Sequence, residues 1–455
     1  MPRQLPADCL SEIFEYLEDK VDLYSCLLVD HLWCEVSVRF LWTNIQNFHT
    51  LIACLPDESK EILYENEIII SPSTSKPPLF NYVTFIKNLS MTEIRREIRN
   101  LLEYHQPTVS QRYMVVTKEI FKMFMSQISL KKLTLYYNPR YIQNIPNIPF
   151  TTYPGAIDCL RNLSELICYS DIYPEIFYQL SQICYNIQSL NLTIRNFISN
   201  GLTNLISVQQ NLKYLIVYNE SNNENLTDII SPLKKISSNL IKLDINIPLP
   251  FIDEFTNLKE LVLHHHECLK LLQYVKFPQL QILNFIIVCP YHEHFIKFLE
   301  NNGKNLKEIY LPYVDDNSTN LAIAKFCPNL RSLCTVDEIE TLKVILNSCQ
   351  ELESVEVWCG NGYLNETELL EVVAKHSPKK FYELKIFNPH DFQSVLFSET
   401  EKLESAFISW ANRKPQKPLS LIIVDCPNFV KVKKESMGVI EKFKKLNVIK
   451  KFDIL

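Results

Sequence analysis

A short hydrophobic frame recurs along most of this chain and restricts it to few folds. The frame is L-x-x-L-x-L, usually preceded by Asn or another polar residue, as in NLKYLIV from Asn211 onward. Most copies follow one another at about 18 to 29 residues, the period of proteins built from stacked units that each supply one strand and one return segment. The first apolar residues of the twelve copies are Leu130, Leu163, Ile187, Leu212, Leu240, Leu258, Leu280, Leu306, Leu330, Leu352, Phe381 and Leu419.

The repeat resembles the leucine-rich repeat, in which neighbouring units place their strands side by side in one parallel sheet. Segments between copies, such as EHFIKFLENNGKN before Leu306, have the length of a helix. The resemblance implies an α/β fold, an irregular solenoid with a parallel concave sheet. The asparagine expected eight residues after each first leucine is largely missing, since Glu220, Pro248 and His266 occupy such positions.

Strand periodicity assigns a solvent-facing side to the predicted sheet. Because side chains alternate along a strand, the fourth and sixth positions of the frame enter the core, and the third, fifth and seventh face the concave side. Protein interfaces are enriched in Tyr, Trp and Phe. The aromatic residues at these outward positions are therefore predicted to bind a protein substrate: Tyr214, Tyr218, Tyr310, Trp358 and Phe387.

The N-terminal segment from Leu5 to Trp42 has a different pattern, that of three short helices. Pro6 suits a first helical position, and apolar residues from Leu10 to Leu17 recur at helical spacing. Asp22 and Asp30 precede the next two apolar periods and are predicted N-caps. A unit of about 40 residues usually needs a partner, a metal or disulfides to remain folded. Leu5, Pro6, Cys9 and Val29 are left over once one internal core is built. Packing on the rest of the same chain and docking on a partner both account for them.

The same segment resembles an F-box, the helical module by which many proteins dock on a Skp-type adaptor. The resemblance rests on Leu5-Pro6, the Leu27-Leu28-Val29 run, Trp33 and the Leu41-Trp42 pair, in that order. Cys9 departs from the pattern because a branched aliphatic residue is common there. The resemblance implies that the following residues bind the adaptor: Leu5, Pro6, Leu10, Ile13, Leu27, Leu28 and Val29.

Composition disfavours several other kinds of partner. The net charge of -6 is spread over interspersed acidic and basic residues, so the basic field needed for nucleic acid is missing. We find no signal peptide and no apolar run of about 18 residues that would span a membrane. The 14 cysteines form no C-x-x-C pair, which favours free thiols. We expect a cytoplasmic or nuclear protein without a membrane or nucleic-acid partner.

Catalytic motifs are also missing, so we expect no enzymatic activity, no catalytic residue and no cofactor. A cluster of histidines, His264, His265 and His266, with His292 farther on, leaves open a metal site. Solvated side chains near a turn explain the cluster more simply, so we predict no metal. A metal-dependent enzyme remains the third alternative.

The sequence predicts a substrate-recognition subunit of an SCF-type ubiquitin ligase, linked through a Skp-type adaptor to a cullin-RING scaffold. A protein-binding scaffold that does not send its target for degradation is the alternative. We expect four regions: an F-box at 1–45, a linker and N-terminal capping region at 46–125, a leucine-rich-repeat solenoid at 126–430 and a C-terminal cap at 431–455. The identity of the target cannot be read from the sequence.

Overall fold

The computed structural model divides the chain into two compact units, Met1–Asn239 and Leu240–Leu455. The structure describes residues 5–17, 19–68, 78–102, 109–136, 148–220, 226–286, 292–312, 317–334, 338–359, 364–388, 394–414, 417–425 and 430–454.

The first unit begins with helices and continues as alternating strands and helices. Its helices are α1 Ala7–Glu15, α2 Lys20–Cys26, α3 His31–Leu41, α4 Phe48–Ala53, α5 Asp57–Glu65, α6 Met91–Leu101, α7 Val109–Gln127, α8 Ala156–Leu160, α9 Pro174–Ile183, α10 Asn200–Ser207 and α11 Thr227–Ile236. Its strands are β1 Asn88–Ser90, β2 Lys132–Leu135, β3 Glu165–Tyr169, β4 Ser189–Ile194 and β5 Tyr214–Asn219.

The second unit repeats the same alternation to the end of the chain. Its strands are β6 Lys242–Ile245, β7 Glu260–Leu263, β8 Ile282–Phe285, β9 Glu308–Tyr310, β10 Ser332–Cys334, β11 Ser354–Trp358, β12 Glu383–Asn388, β13 Ser394–Leu396, β14 Leu419–Asp425, β15 Val430–Val432 and β16 Ile449–Ile454. Its helices are α12 Cys268–Leu272, α13 His292–Asn302, α14 Asn317–Phe326, α15 Ile339–Ser348, α16 Glu366–His376, α17 Thr400–Ala411 and α18 Lys434–Lys445.

The strands of each unit pair in parallel and, apart from one short side pair, in chain order. The first unit has the order β1-β2-β3-β4-β5. The second has β6 to β12, then β14 and β16, while β13 and β15 form the side pair. Every one of the twelve sequence frames forms a strand, which confirms the predicted α/β leucine-rich-repeat fold. Two strands without the frame, β1 and β16, extend the sheets beyond the first and last copies.

Alternating burial shows why the frame specifies this fold. In β4 the side chains of Leu190, Leu192 and Ile194 are buried, and those between them are partly exposed. The return helices between the strands bury an apolar stripe of their own, such as Ile176 and Phe177 in α9. Burying one such side chain contributes roughly 1.5–3 kcal/mol. Each single repeat thus needs the neighbouring repeats to complete its hydrophobic core.

Asparagines placed just before the frame join successive repeats at the helix-to-strand turn. In the first unit, the side chain of Asn239 donates to the Gln210 carbonyl at 2.9 Å. In the second, that of Asn329 donates to the Lys304 carbonyl at 2.9 Å. The side chain of Asn305 likewise donates to the Pro278 carbonyl at 3.1 Å. A polar ladder therefore exists, at a position other than the eighth residue of the frame.

The helical caps of the N-terminal segment differ from the prediction at one position. Asp30 caps α3, as predicted, since its carboxylate accepts from the Trp33 amide at 2.9 Å. The cap of α2 is Asp19, whose carboxylate accepts from the Val21 amide at 2.8 Å. The prediction of Asp22 was wrong because this residue lies in the first turn of the helix. Within the described ranges, no helix is both long and apolar enough to cross a bilayer.

Candidate functional site: an exposed helical surface and the open face of the sheets

The three N-terminal helices form a module with its own core. Leu10, Phe14, Leu23 and Val36 are among its buried residues. Phe14 contacts the Trp33 ring edge-on, with 5.4 Å between ring centroids. This core explains why so short a segment folds into three helices, and it occupies one side of each helix.

Large apolar side chains remain exposed on the outer side of the module. Among the predicted adaptor contacts, Leu5, Ile13, Leu28 and Val29 are exposed, with Leu28 at 88%. The exposed set also includes residues that sequence reasoning missed. They are Tyr16, Val21 and Tyr24. We name these seven residues the apolar surface of the module.

Three other predicted adaptor contacts have different environments. Pro6 is exposed at the start of α1, and Leu27 is half-buried against the module core. Leu10 is 0% exposed, because its side chain contacts the interior of the module; its role in adaptor binding stays a prediction. The apolar stripe from Leu10 to Leu17 splits between the two environments, since Ile13 points outward while Phe14 points inward.

The open face of each sheet consists of the side chains at the third, fifth and seventh positions of the frame. In the first unit, Tyr214 is exposed and Tyr218 is partly exposed. Nearby on this face, the Arg195 guanidinium lies 3.6 Å from the centre of the Tyr169 ring. The same guanidinium forms an ion pair with Glu220, with 2.9 Å between Nε and Oε2.

The aromatic residues predicted on the second unit are distributed between two environments. Tyr310 is exposed at 37%. Trp358 and Phe387, at paired positions of β11 and β12, contact each other edge-on with 4.2 Å between centroids, and both are only partly exposed. Tyr310 therefore offers free ring surface, whereas the other two rings shield one another. Substrate binding by these five aromatic residues stays a prediction.

A hollow of about 240 Å³ lies beside Tyr310 on the open face of the second unit. Residues lining it include Asn284, Glu308, Tyr310, Cys334, Glu356 and Lys385, and we name this set the acidic hollow. Burial, followed by the negative charge of Glu356, raises the pKa of the Cys334 thiol well above its ordinary value. The thiol is therefore neutral at physiological pH and hydrogen-bonds Glu356.

A comparison with known families identifies the helical module. Residues 3–47 match the family model described as F-box-like. The chain carries an F-box-like domain. No curated protein sequence matches the chain.

Solved structures similar to this chain are leucine-rich-repeat proteins and a yeast complex. The leucine-rich-repeat protein LegL7 of Legionella pneumophila has a TM-score of 0.32 at 16% identity, covering 70% of this chain and 91% of its own. The yeast complex of Rad7 and Elc1 has a TM-score of 0.38 at 13% identity, covering 95% of both chains. A leucine-rich-repeat protein of Leptospira interrogans has a TM-score of 0.32 at 16% identity, covering 82% of this chain and 96% of its own.

The F-box-like domain is joined directly to the first strand of the sheet. The Trp42 ring packs on that of Tyr82, with 4.4 Å between centroids. The Thr43 carbonyl accepts hydrogen bonds from the amides of both Lys87 and Asn88, and Asn88 begins β1. The domain is therefore fixed to the edge of the first unit's sheet by stacking and by backbone hydrogen bonds.

The histidine cluster of the second unit is held by side-chain contacts. His264 Nε2 lies 3.0 Å from Asp244 Oδ1, and His266 Nε2 lies 3.5 Å from Glu267 Oε1. The rings of His265 and His266 stack at 4.5 Å, while His292 contacts the Thr319 hydroxyl. In the part of the chain that the structure describes, no group of three or more His, Cys, Asp or Glu side chains could hold a metal.

Cysteines precede three of the strands and have a structural role: Cys184 before β4, Cys327 before β10 and Cys349 before β11. Cys184 and Cys349 are fully buried, and their thiols donate to the carbonyls of Leu160 and Cys327, with sulfur-to-oxygen distances of 3.4 and 3.5 Å. Gln209, at the equivalent position of the next repeat, donates to the Cys184 carbonyl. At this turn the Cys184 thiol and the Gln209 side-chain amide thus each donate a hydrogen bond to a carbonyl of the preceding repeat. Burial raises the pKa of Cys184 to about 12, which keeps it protonated and unreactive.

Proposed function

We propose that this chain is the substrate-recognition subunit of an SCF-type E3 ubiquitin ligase. Its F-box-like domain would dock on a Skp-type adaptor, which connects to a cullin-RING scaffold. The open faces of the sheets would bind a protein target. The protein would act in the cytoplasm or the nucleus.

The apolar surface of the module carries this proposal. Leu28 and Val29 are adjacent in sequence, follow the C-cap of α2 and expose 88% and 57% of their area. Large apolar side chains exposed together on one short module commonly mark an interaction site. Covering such side chains with the helices of a partner contributes roughly 1.5–3 kcal/mol for each one fully buried.

The proposed contribution of this chain to ubiquitin transfer is proximity. Holding a target next to a loaded enzyme replaces an encounter in solution by a tethered one, which raises the effective concentration of the target lysine. No side chain of this protein needs to take part in the chemistry. The direct link from Trp42 and Thr43 to Tyr82 and Asn88 supports this role, because a tether works best when it holds one geometry.

Co-purification with a Skp-type adaptor tests the proposal. The double variant Leu28→Asp plus Val29→Asp is expected to lose the adaptor and keep its fold, since both side chains are exposed. Tyr64→Asp is the matched control, because Tyr64 is 79% exposed on α5, outside the F-box-like domain. Equal recovery of the adaptor by wild type and by the double variant would refute docking through this surface.

A second measurement distinguishes a ligase subunit from a scaffold. Targets found by proximity labelling are expected to be ubiquitinated less and to accumulate in cells that express the double variant. Unchanged ubiquitination and abundance of every labelled protein would contradict the ligase role and favour the non-degradative scaffold.

A further inference from the structure

The acidic hollow lies where the charges of the open face are least balanced. Of the residues that the structure describes, five carboxylates and two lysines occupy outward positions of the frame along β6 to β12. Lys242 pairs with Glu260 at 2.6 Å, and Lys385 lies 3.5 Å from Glu383. His264 contacts the fifth carboxylate, that of Asp244. Among the described residues, this leaves Glu308 and Glu356 without a cationic partner, and both line the hollow.

Lys385 also lines the hollow, next to Glu356 in the register of β11 and β12, but its ammonium forms its ion pair with Glu383. Parallel register places Asn284, Tyr310, Cys334 and Glu356 side by side on four adjacent strands, roughly 4.8 Å apart. The Asn284 side-chain oxygen is buried and receives no hydrogen bond from any described residue. Carboxylates and an amide oxygen accept hydrogen bonds, and an aromatic ring attracts a cation to its face. Each of these groups is suited to a positively charged side chain.

The first unit combines the same kinds of groups, an aromatic ring and a carboxylate, at the ends of its strands, with a cation present. There the Arg195 guanidinium covers the Tyr169 ring and pairs with the Glu220 carboxylate. On the second unit, Tyr310 and two carboxylates occur without an arginine. The chain itself thus shows how a guanidinium fills such a set of groups.

We propose that the acidic hollow receives a lysine or arginine side chain of the target protein. The volume of about 240 Å³ is below the range of about 300–1,000 Å³ typical of small-molecule pockets, and it suits one long side chain. Arginine is favoured over lysine because its planar group offers five donors to several acceptors. That the bound side chain belongs to a target protein rests on the proposed function. The preference of the hollow for a cationic side chain does not.

Binding of short synthetic peptides to the full-length purified protein tests this inference. Four fluorescent pools share the same random neutral sequence and differ in one central residue, which is arginine, lysine, citrulline or glutamate. Citrulline has nearly the shape of arginine without its charge. The arginine pool is expected to bind about three- to tenfold more tightly than the citrulline pool, with lysine between them and glutamate weakest.

Substitutions in the hollow locate the preference. Glu308→Gln plus Glu356→Gln is expected to bring the arginine and citrulline pools to equal affinity, and Glu308→Lys to shift preference toward the glutamate pool. Glu260→Gln is the matched control, since Glu260 lies on the same face and already pairs with Lys242, and it should leave the preference in place. Thermal unfolding of each variant establishes that it is folded.

The outcomes separate this inference from the proposed function. Equal binding of the arginine and citrulline pools to wild type, binding of neither pool, or a preference that survives neutralisation of the hollow would overturn the inference. Co-purification of the Skp-type adaptor with the Glu308→Gln plus Glu356→Gln variant tests only the proposed function, because the hollow lies outside the F-box-like domain. Failure of the wild-type protein to bind the adaptor would overturn the ligase role and would not affect the charge preference.

Discussion

At the scale of single residues, exposure separates side chains that the sequence pattern treats alike. Leu10 and Leu28 both lie in the F-box-like segment and both were predicted to bind the adaptor. Leu10 is enclosed by the module core, whereas Leu28 is almost fully exposed. The first therefore contributes to folding and the second is available for docking.

Leu10→Ala is expected to lower the free energy of unfolding by about 2–5 kcal/mol, because it leaves a cavity in a packed core. Leu28→Ala is expected to change it by less than about 0.5 kcal/mol while weakening adaptor binding. Thermal unfolding and quantitative adaptor co-purification measure the two effects. A stable Leu10→Ala protein that nevertheless loses the adaptor would show that Leu10 acts in docking rather than in folding.

Buried thiols give the protein a dependence on alkaline pH. Burial raises the pKa of Cys159, Cys184 and Cys268 from 9.0 to about 12. Because folding raises these pKa values, the thiols' contribution to stability is complete below their pKa in the unfolded chain. That contribution is lost as the pH rises toward their pKa in the folded protein. Between pH 9 and 12 these thiols are therefore deprotonated in the unfolded chain but still protonated in the folded protein, which favours unfolding.

Each such thiol is expected to cost about 1.4 kcal/mol of stability at pH 10. Cys184→Ala removes one of these protons, so its urea unfolding free energy should fall less steeply than that of wild type between pH 8 and 10. Cys9→Ala is the control, since Cys9 is exposed. Parallel pH profiles for wild type and Cys184→Ala would contradict the account.

At the scale of elements, close packing of neighbouring return helices depends on a glycine. Gly201 lies near the start of α10, where a Cβ atom would lie 2.2 Å from the Pro174 carbonyl oxygen of α9. That carbonyl belongs to backbone and cannot rotate away. Gly438 in α18 provides a contrast, because a Cβ atom there would have no heavy atom within 4 Å.

Gly201→Ala is expected to destabilise the first unit by about 1–3 kcal/mol, since α10 must move away from α9. Gly438→Ala is expected to stabilise the protein by about 0.5–1 kcal/mol, because alanine restricts the unfolded chain and favours a helix. Denaturant unfolding of both variants checks the signs. A neutral Gly201→Ala would show that the two helices are not closely packed.

At the scale of the whole molecule, the proposed function requires adaptor docking and target binding in one chain. A variant with Leu28→Asp plus Val29→Asp would still bind the target, and one with Glu308→Gln plus Glu356→Gln would still bind the adaptor. Tethering acts only within a single complex. The two variants expressed together are therefore expected not to restore target turnover.

The half-life of a target found by proximity labelling measures this expectation. Wild type should shorten it, and each variant alone or both together should leave it long. Restored turnover on co-expression would mean that adaptor and target need not be bound by the same copy of the chain.

Patterns of local periodicity determined most of the fold. Apolar residues at strand spacing, repeated twelve times, have one efficient way to be buried, and each copy indeed forms a strand. Helical spacing between Leu5 and Trp42 likewise specified three helices, as found. These features depend on neighbours a few residues apart, which the sequence displays directly.

Only the tertiary structure decided which apolar and charged side chains remain available. Helical spacing places Leu10 and Ile13 on one stripe, yet one is buried and the other exposed, because that depends on where the other two helices pack. Glu308 and Glu356 are distant in sequence and meet at one hollow only through the register of β9, β10 and β11. Exposure and charge balance arise between elements, so a linear pattern does not contain them.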